Sequence, residues 1–282
     1  MYVELHARSA FSFLESSSLP EDLIATCANL NMSAMALLDR NGVYGAPRFH
    51  MAAKKAGVKA HIGAEVSCEE FPISNFQFPI QNSLRPKIGN RKLEIGNSFR
   101  LPLLVSSRTG YQNLCRLITK MKLRAPRKEE GAVYEEELRE HAAGLICLTG
   151  GDDGPLAGAI AHGGMDEAQR AVERLTEIFG HDNVYVELQR HFHREQEARN
   201  RAAIEIARSL QLPLLATNGV CYASPRQREL CDVFTAIRHK RTLATAGRLL
   251  ERNSERHLKS PQEMQQLFAD FPEAIANTVE LS

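Results

Sequence analysis

Residues 2–15, YVELHARSAFSFLE, hold the first side chains able to do chemistry. A short apolar strand through Tyr2, Val3 and Leu5 delivers His6 and Arg8 to its end, and residues two apart on a strand project the same way. The loop behind them, residues 9–18, carries Glu15. A histidine and a carboxylate at the carboxyl end of a first strand, before a helix, is where an α/β barrel puts its chemistry. On spacing alone, the alternative is a histidine that merely caps a strand. Asp39 and Arg40 end a second apolar run, Glu65 lies near the end of a third, and His191 and His193 bracket a polar loop. Ser16, Ser17 and Ser18 lie near His6, but no GxSxG elbow is present, and a serine run before a helix reads as a cap.

The elements that must position these residues alternate along the chain. Ser18, followed by Pro20, Glu21 and Asp22, starts a helix running to about Leu30. The spacing predicts strands at residues 2–6, 34–38, 59–66, 101–106, 145–149, 183–188 and 213–217, with helices at 46–56, 109–121, 134–141, 155–161, 166–179 and 195–210. After Pro225 the pattern is purely helical, with residues 226–238 and 261–269 the best segments. Repeated strand, helix and short loop predicts parallel strands with right-handed crossovers. A closed or distorted barrel is favoured over an open sheet, because no GxGxxG or Walker loop occurs at a strand-to-helix turn. Residues 67–99 break the rhythm with Phe71, Phe76, Phe78, several Pro and Asn, and a basic patch from Arg85 to Lys92. This reads as an insertion loop over the barrel surface, open to protease.

Composition narrows the classes. The chain has 282 residues, 43% of them hydrophobic, enough for one large α/β domain with a substantial core. A formal net charge of +1 gives no overall basic footprint, so nucleic-acid contact would be local or made through a partner. The runs at residues 120–128 and 238–241 are basic, and solvated faces account for most such runs. No apolar run approaches the roughly 18–20 residues that span a bilayer, and no basic segment followed by an apolar one opens the chain, so a cytoplasmic location without membrane contact is expected. The six cysteines are scattered without a CxxC pair and are expected as reduced thiols.

Several segments carry a resemblance. In order, ELHARSAFSFL, LLDRNGVYGAPRFHMAAKKAG, GAEV, GYQNLCRLITK, ELQRHFHREQEARN, LPLLATNGVCYASP and NSERHLKSPQEM resemble the PHP (polymerase and histidinol phosphatase) domain that begins the α subunit of bacterial DNA polymerase III. ELQRH and HLKSP are most similar to the error-prone branch. The resemblance covers the chain apart from residues 67–99. It implies a distorted seven-stranded, TIM-like β/α barrel, here residues 1–225, with a C-terminal helical segment, 226–282, of the same domain. It also implies His, Asp and Glu ligands at the strand ends for up to three metal ions, which hydrolyse phosphoesters or excise 3′ nucleotides in active members.

Matched residue by residue, the implied ligand set is broken. His6 stands at the first histidine of the family's His-x-His, but Arg8 stands at the second. Glu15 matches an acidic position in type. Asp39 matches the aspartate of Asp-His, with Arg40 in place of the histidine. Glu65 and His191 match ligands, Arg100 falls on or near a histidine position, and the closing Asp-x-His reads Gly219-Val220-Cys221. Guanidinium groups stay protonated and cannot donate a lone pair, and each puts a fixed positive charge about where a cation would sit. The expectation is therefore a catalytically degenerate domain with no cofactor, in which Arg8 and Arg40 pair with Glu15, Glu65 or Asp39 and can bind an oxyanion. If any ion is held, it is a single weak Zn or Mn on His6, Glu65 and His191, with Cys221 or Glu15. The implied partners are the rest of a polymerase α subunit or other replication and repair proteins, with DNA contact indirect. The alternatives are an active metal-dependent phosphoesterase or 3′-exonuclease, and a nucleic-acid-binding module acting through the basic insertion.

Overall fold

The computed structural model describes residues 1–69, 98–127 and 131–282. Most of the 67–99 insertion, including Phe71, Phe76, Phe78 and the basic patch, lies outside the described residues. Seven strands form one sheet in sequence order: β1 (Glu4–Ala7), β2 (Ala34–Arg40), β3 (Lys59–Glu69), β4 (Ser98–Val105), β5 (Leu145–Leu148), β6 (Val184–Leu188) and β7 (Leu214–Ala216). A parallel bridge between Ala7 and Val220 returns the segment after β7 to β1, with Arg8 N–H donating to Val220 O and Val220 N–H to His6 O, both at 2.9 Å. The sheet thus curls round on itself.

One expectation is corrected. The strands are not all parallel, because β4 runs antiparallel to both β3 and β5. Parallel neighbours need a crossover over a face of the sheet, whereas here Glu69 pairs with Ser98, so the chain leaves β3 and enters β4 at the same edge. The reversal matters for the site. Arg100 is near the start of β4, so the antiparallel strand still delivers it to the rim where the parallel strands end.

The helices are α1 (Pro20–Asn29), α2 (Ala46–Ala56), α3 (Arg108–Arg124), α4 (Glu135–His141), α5 (Pro155–Phe179), α6 (Arg194–Leu210), α7 (Arg228–Arg238), α8 (Leu243–Ala246), α9 (Pro261–Leu267) and α10 (Pro272–Glu280). Local chemistry sets their ends. Proline opens α1, α5, α9 and α10, the Ser107 hydroxyl accepts the Gly110 N–H at the start of α3, and Gly57 closes α2 with φ of 72°. The two helices expected over residues 155–179 form one span broken at Gly164, where φ is 69°.

Alternation places the core. In β2, Met35 and Leu37 belong to a large cluster with helix residues such as Leu23, Phe49 and Leu114, while Ala34, Ala36 and Leu38 belong to a smaller one drawn almost wholly from strands. The first face packs on helices and the second lines the barrel interior. Leu258, Met264, Phe268, Ala274 and Ile275 of the C-terminal segment share the large cluster, and Val3 N–H donates to Thr278 Oγ1 at 3.2 Å. All six cysteines are free thiols.

Candidate functional site

The same parity that sorts apolar residues sorts the charged ones. Ala36 and Leu38 face inward, and so does Arg40; Ala64 and Val66 face the helices, so Glu65 faces inward; Leu104 sets the parity of Arg100; Val186 and Leu188 set that of Glu187. In β1 the register shifts between Glu4 and Ala7, which reverses the parity and turns His6 to the interior. His6 lies between two carboxylates. Its Nδ1 is 2.7 Å from Glu187 Oε1, and its Nε2 is 3.3 Å from Glu65 Oε1 without hydrogen-bond alignment. Burial opposes charge on the imidazole, but Glu187 and then Glu65 outweigh it and push the His6 pKa up to about 10. His6 is therefore an imidazolium at neutral pH. Burial would likewise raise the Glu65 carboxyl, yet Arg8, His6 and Arg100 hold it well below the ordinary range.

Glu15 is the second centre. Its side chain is 2% exposed and meets four arginines: Arg100 Nη1 at 2.8 Å and Nη2 at 3.1 Å, Arg238 at 2.6 Å, Arg8 at 3.6 Å, and Arg40. Arg8 and Arg100 each lie 3.7 Å from Glu65 Oε2, which joins the two centres. Against a raising effect of burial, Arg100, Arg40, Arg8 and Arg238 together depress the Glu15 pKa. The expected pairing of Arg8 and Arg40 with Glu15, and of Arg8 with Glu65, is present, and Arg100 joins it.

Asp39 differs from expectation. Among the described residues no arginine pairs with it; the Ser9 N–H (2.8 Å), the Ser9 hydroxyl (2.9 Å) and the Ser12 hydroxyl (2.9 Å) donate to its Oδ1, and the Ser9 hydroxyl also lies 2.9 Å from Oδ2. It anchors the 9–18 loop on β2, and the Arg40 N–H donates to Ser12 Oγ at 3.0 Å. His191 is also withdrawn from the group. Its Nε2 donates to Asn218 O at 2.9 Å and its Nδ1 accepts from Gln196 Nε2 at 2.8 Å, an orientation fixed because Gln196 Oε1 accepts the His191 N–H at 2.8 Å. Burial, then Arg256, holds His191 well below the usual histidine range, so it is neutral with both nitrogens committed. Cys221 is buried beside the site, its thiol 3.6 Å from Gly219 O.

Four site residues were not legible from spacing. Glu187 and Gln189 lie two apart on one face, with Gln189 Nε2 donating to Glu187 Oε1 at 2.7 Å. A polar residue within or just after an apolar strand was their only signal, and it applies to Glu4 as well. Glu4 is fully buried, accepts from Tyr2 OH (2.7 Å), His6 N–H (2.8 Å) and Asn218 N–H (3.0 Å), and is pushed by burial to a pKa of about 7. Arg238 had no usable signal. The run at 238–241 read as a solvated face, but α7 folds over the rim and seats Arg238 on Glu15. In the run at 120–128, by contrast, Lys120 pairs with Glu140 at 2.7 Å, and Arg124 pairs with Glu137.

The PHP domain profile matches residues 4–191. The chain belongs to the PHP domain family. It is 35% identical over its full length to an error-prone DNA polymerase of Anaeromyxobacter dehalogenans, covering 22% of that protein. It is 32% identical to the DNA polymerase III subunit alpha of Treponema pallidum, again over all of this chain and 23% of that one. The chain thus spans less than a quarter of the length of these curated relatives. An amidohydrolase structure from Chromobacterium violaceum, described as having bound sulfate and no metal, aligns with a TM-score of 0.50 at 11% identity, covering 77% of this chain and 87% of that one, a likeness of fold. Among the described residues, no helix is long and apolar enough to cross a membrane.

The metal cluster implied by the PHP family does not fit these residues. A ligand must turn a lone pair to the ion; His6 is instead held between Glu187 and Glu65, both ring nitrogens of His191 are committed to Asn218 O and Gln196, and Glu15 and Asp39 are taken by arginines and serines. The trio His6, Glu65 and His191 is not assembled as a ligand set. Among the described residues, no group of three or more His, Cys, Asp or Glu is placed to hold an ion. Even the missing aspartate has lost its space. Gly219 has φ of 52°, and a Cβ there would lie 2.8 Å from both amide heteroatoms of Gln189. Gly219→Ala is therefore expected to cost about 1–2 kcal/mol from the left-handed backbone and the displaced amide. A urea midpoint equal to wild type would show that Gln189 yields freely.

Proposed function

We propose that this chain is a catalytically degenerate PHP domain of an error-prone DNA polymerase III α-type protein, a structural or interaction module in replication or translesion repair. The observation that carries the reading is the ion-pair network: Arg8, Arg40, Arg100 and Arg238 lie on the carboxylates that a hydrolytic metal would need. In-line hydrolysis of a phosphodiester requires a metal-bound hydroxide beside phosphorus. Here a fixed positive charge lies within 3.7 Å of Glu65 and closer still to Glu15. At about 4 Å, like unit charges repel by some 4 kcal/mol at an effective dielectric near 20, and a divalent ion roughly doubles that. The relatives are whole polymerases of which this chain matches 22–23%, which supports the remainder of an α subunit as its first partner.

The test is elemental analysis of the purified protein together with hydrolysis assays in Mn, Zn or Mg. Expected are no stoichiometric metal and no phosphatase or 3′-exonuclease rate above background. Arg8→His with Arg40→His is not expected to create a rate, since the Gly219 position still lacks its carboxylate. Chelator-sensitive hydrolysis by the wild-type chain would overturn the reading.

A further inference from the structure

Helix α7 turns its apolar side away from the barrel. Leu230, Val233, Phe234 and Ile237 recur at i, i+3, i+4 and i+7, the spacing of a core-facing stripe. Yet Leu230, Val233 and Ile237 are 43%, 37% and 55% exposed, and Phe234 is half-buried. The face that meets the barrel is the small and polar one. Cys231 and Ala236 are the buried residues of the helix, the Cys231 thiol lies 3.8 Å from Glu15 O, and the Arg228 guanidinium donates to Glu251 O at 2.6 Å. Leu243 of α8, 51% exposed, follows the turn at which Lys240 N–H donates to Ile237 O (3.0 Å) and Arg241 N–H to Ala236 O (2.8 Å).

Contiguous apolar side chains left in water on an ordered helix mark an interaction site. The rim of this stripe is basic. No acid occurs between residues 233 and 250, which hold Arg238, Lys240, Arg241 and Arg248. Arg238 is spent on Glu15, whereas Lys240, Arg241 and Arg248 are exposed, and among the described residues no ion pair holds them. Of the acids on α7, Asp232 pairs with Arg228 at 3.4 Å, and Glu229 lies in the first turn, at the far end of the helix from this rim.

We infer that the α7 stripe docks a helix of a protein partner that is itself apolar on one face and acidic along the flank. The inference rests on the reading of this chain as an interaction module, and it names the surface and the chemistry of what binds there. Helix recognition uses anchors at this spacing, and acids on the partner supply the counter-charge that Lys240, Arg241 and Arg248 lack. A second copy fits worse, because Lys240, Arg241 and Arg248 make each copy's face net basic and the two faces repel. Nucleic acid fits worse too, because Leu230, Val233 and Ile237 are aliphatic, whereas bases stack on aromatic rings.

Fluorescence anisotropy of a labelled peptide tests this on the 282-residue chain. The probe is a peptide of about 20 residues, long enough to hold a helix by itself, with leucines at i, i+3, i+4 and i+7 and glutamates beside them; its control carries lysines in place of the glutamates. Expected is micromolar binding of the acidic peptide, weakened by added salt, with the lysine peptide bound at least about tenfold more weakly. Leu230→Ser/Ile237→Ser should weaken binding by about thirtyfold or more, the loss of interface anchors, and Arg241→Glu/Arg248→Glu by about tenfold. Both double variants should melt with wild type, since the side chains they alter are exposed, and the peptide pair gives a readout free of variants. No binding of the acidic peptide, equal binding of the two peptides, or unchanged binding in Leu230→Ser/Ile237→Ser overturns the inference. So does dimerisation in sedimentation, or binding to phosphatidylglycerol vesicles, that the same double variant abolishes, because the stripe then serves a second copy or a lipid surface. Metal-dependent hydrolysis would remove the inactive reading alone and leave peptide binding in place, whereas absent peptide binding without hydrolysis would remove this surface alone.

Discussion

Glu15→Gln is expected to destabilise the chain by about 2–4 kcal/mol, because it leaves four guanidinium groups facing one another with no acid at their centre. The full cost of breaking a buried pair is about 3–5 kcal/mol, and the partial exposure of Arg40 and Arg238 lets water screen part of it. The exposed pair of Arg48 with Glu21 provides the control, since Glu21→Gln should cost at most about 1 kcal/mol. The folded-state pKa of Glu15 is depressed, so its contribution is present above the ordinary carboxyl value of 4.5 and is lost as pH falls through the folded value. Urea midpoints for the two variants at neutral pH decide the matter. A Glu15→Gln protein as stable as Glu21→Gln would mean that the four arginines do not depend on that carboxylate.

His6→Ala is expected to cost about 3–5 kcal/mol, chiefly through Glu187. Without His6, Glu65 keeps Arg8 and Arg100, but Glu187 is fully buried, and among the described residues it keeps only Thr217, Gln189 and the Thr149 contact of its own backbone, with its Oε2 unpartnered. The imidazole also imposes a pH dependence. Its pKa is raised from 6.5 to about 10 on folding, so its contribution is fully present below about 6.5 and is lost as pH rises through about 10. Urea unfolding between neutral and alkaline pH should show wild type losing stability over that range and His6→Ala losing less. Parallel profiles for the two proteins would show that His6 is not the charged partner of Glu187.

Much of this architecture is legible in the chain itself. The apolar runs and their periods place all seven strands to within a few residues, and the ends of α2, α3 and α5 follow from glycine, serine and proline at their boundaries. His6, Arg8, Glu15, Arg40, Glu65 and Arg100 are marked as a group by strand ends and by the family motif they interrupt. Burial is what makes this possible, since the apolar face of an element is written into its own repeat.

The direction of β4 is not written there, because it depends on how the chain returns after Glu69 rather than on any period within the strand. The partners of charged residues are not written there either. Asp39 goes to the serines of the 9–18 loop instead of to Arg40 beside it, and Arg238 reaches Glu15 only because α7 packs over the rim. His191 matches a ligand position, yet Gln196 and Asn218 take both of its nitrogens. Ion pairs and hydrogen bonds are decided over a few ångströms between groups far apart in sequence, and those separations exist only once the sheet has closed. The sequence determined that the pocket would be arginine-rich and poor in ligands; the tertiary structure decided which carboxylate the arginines gather around and which of them are left facing solvent.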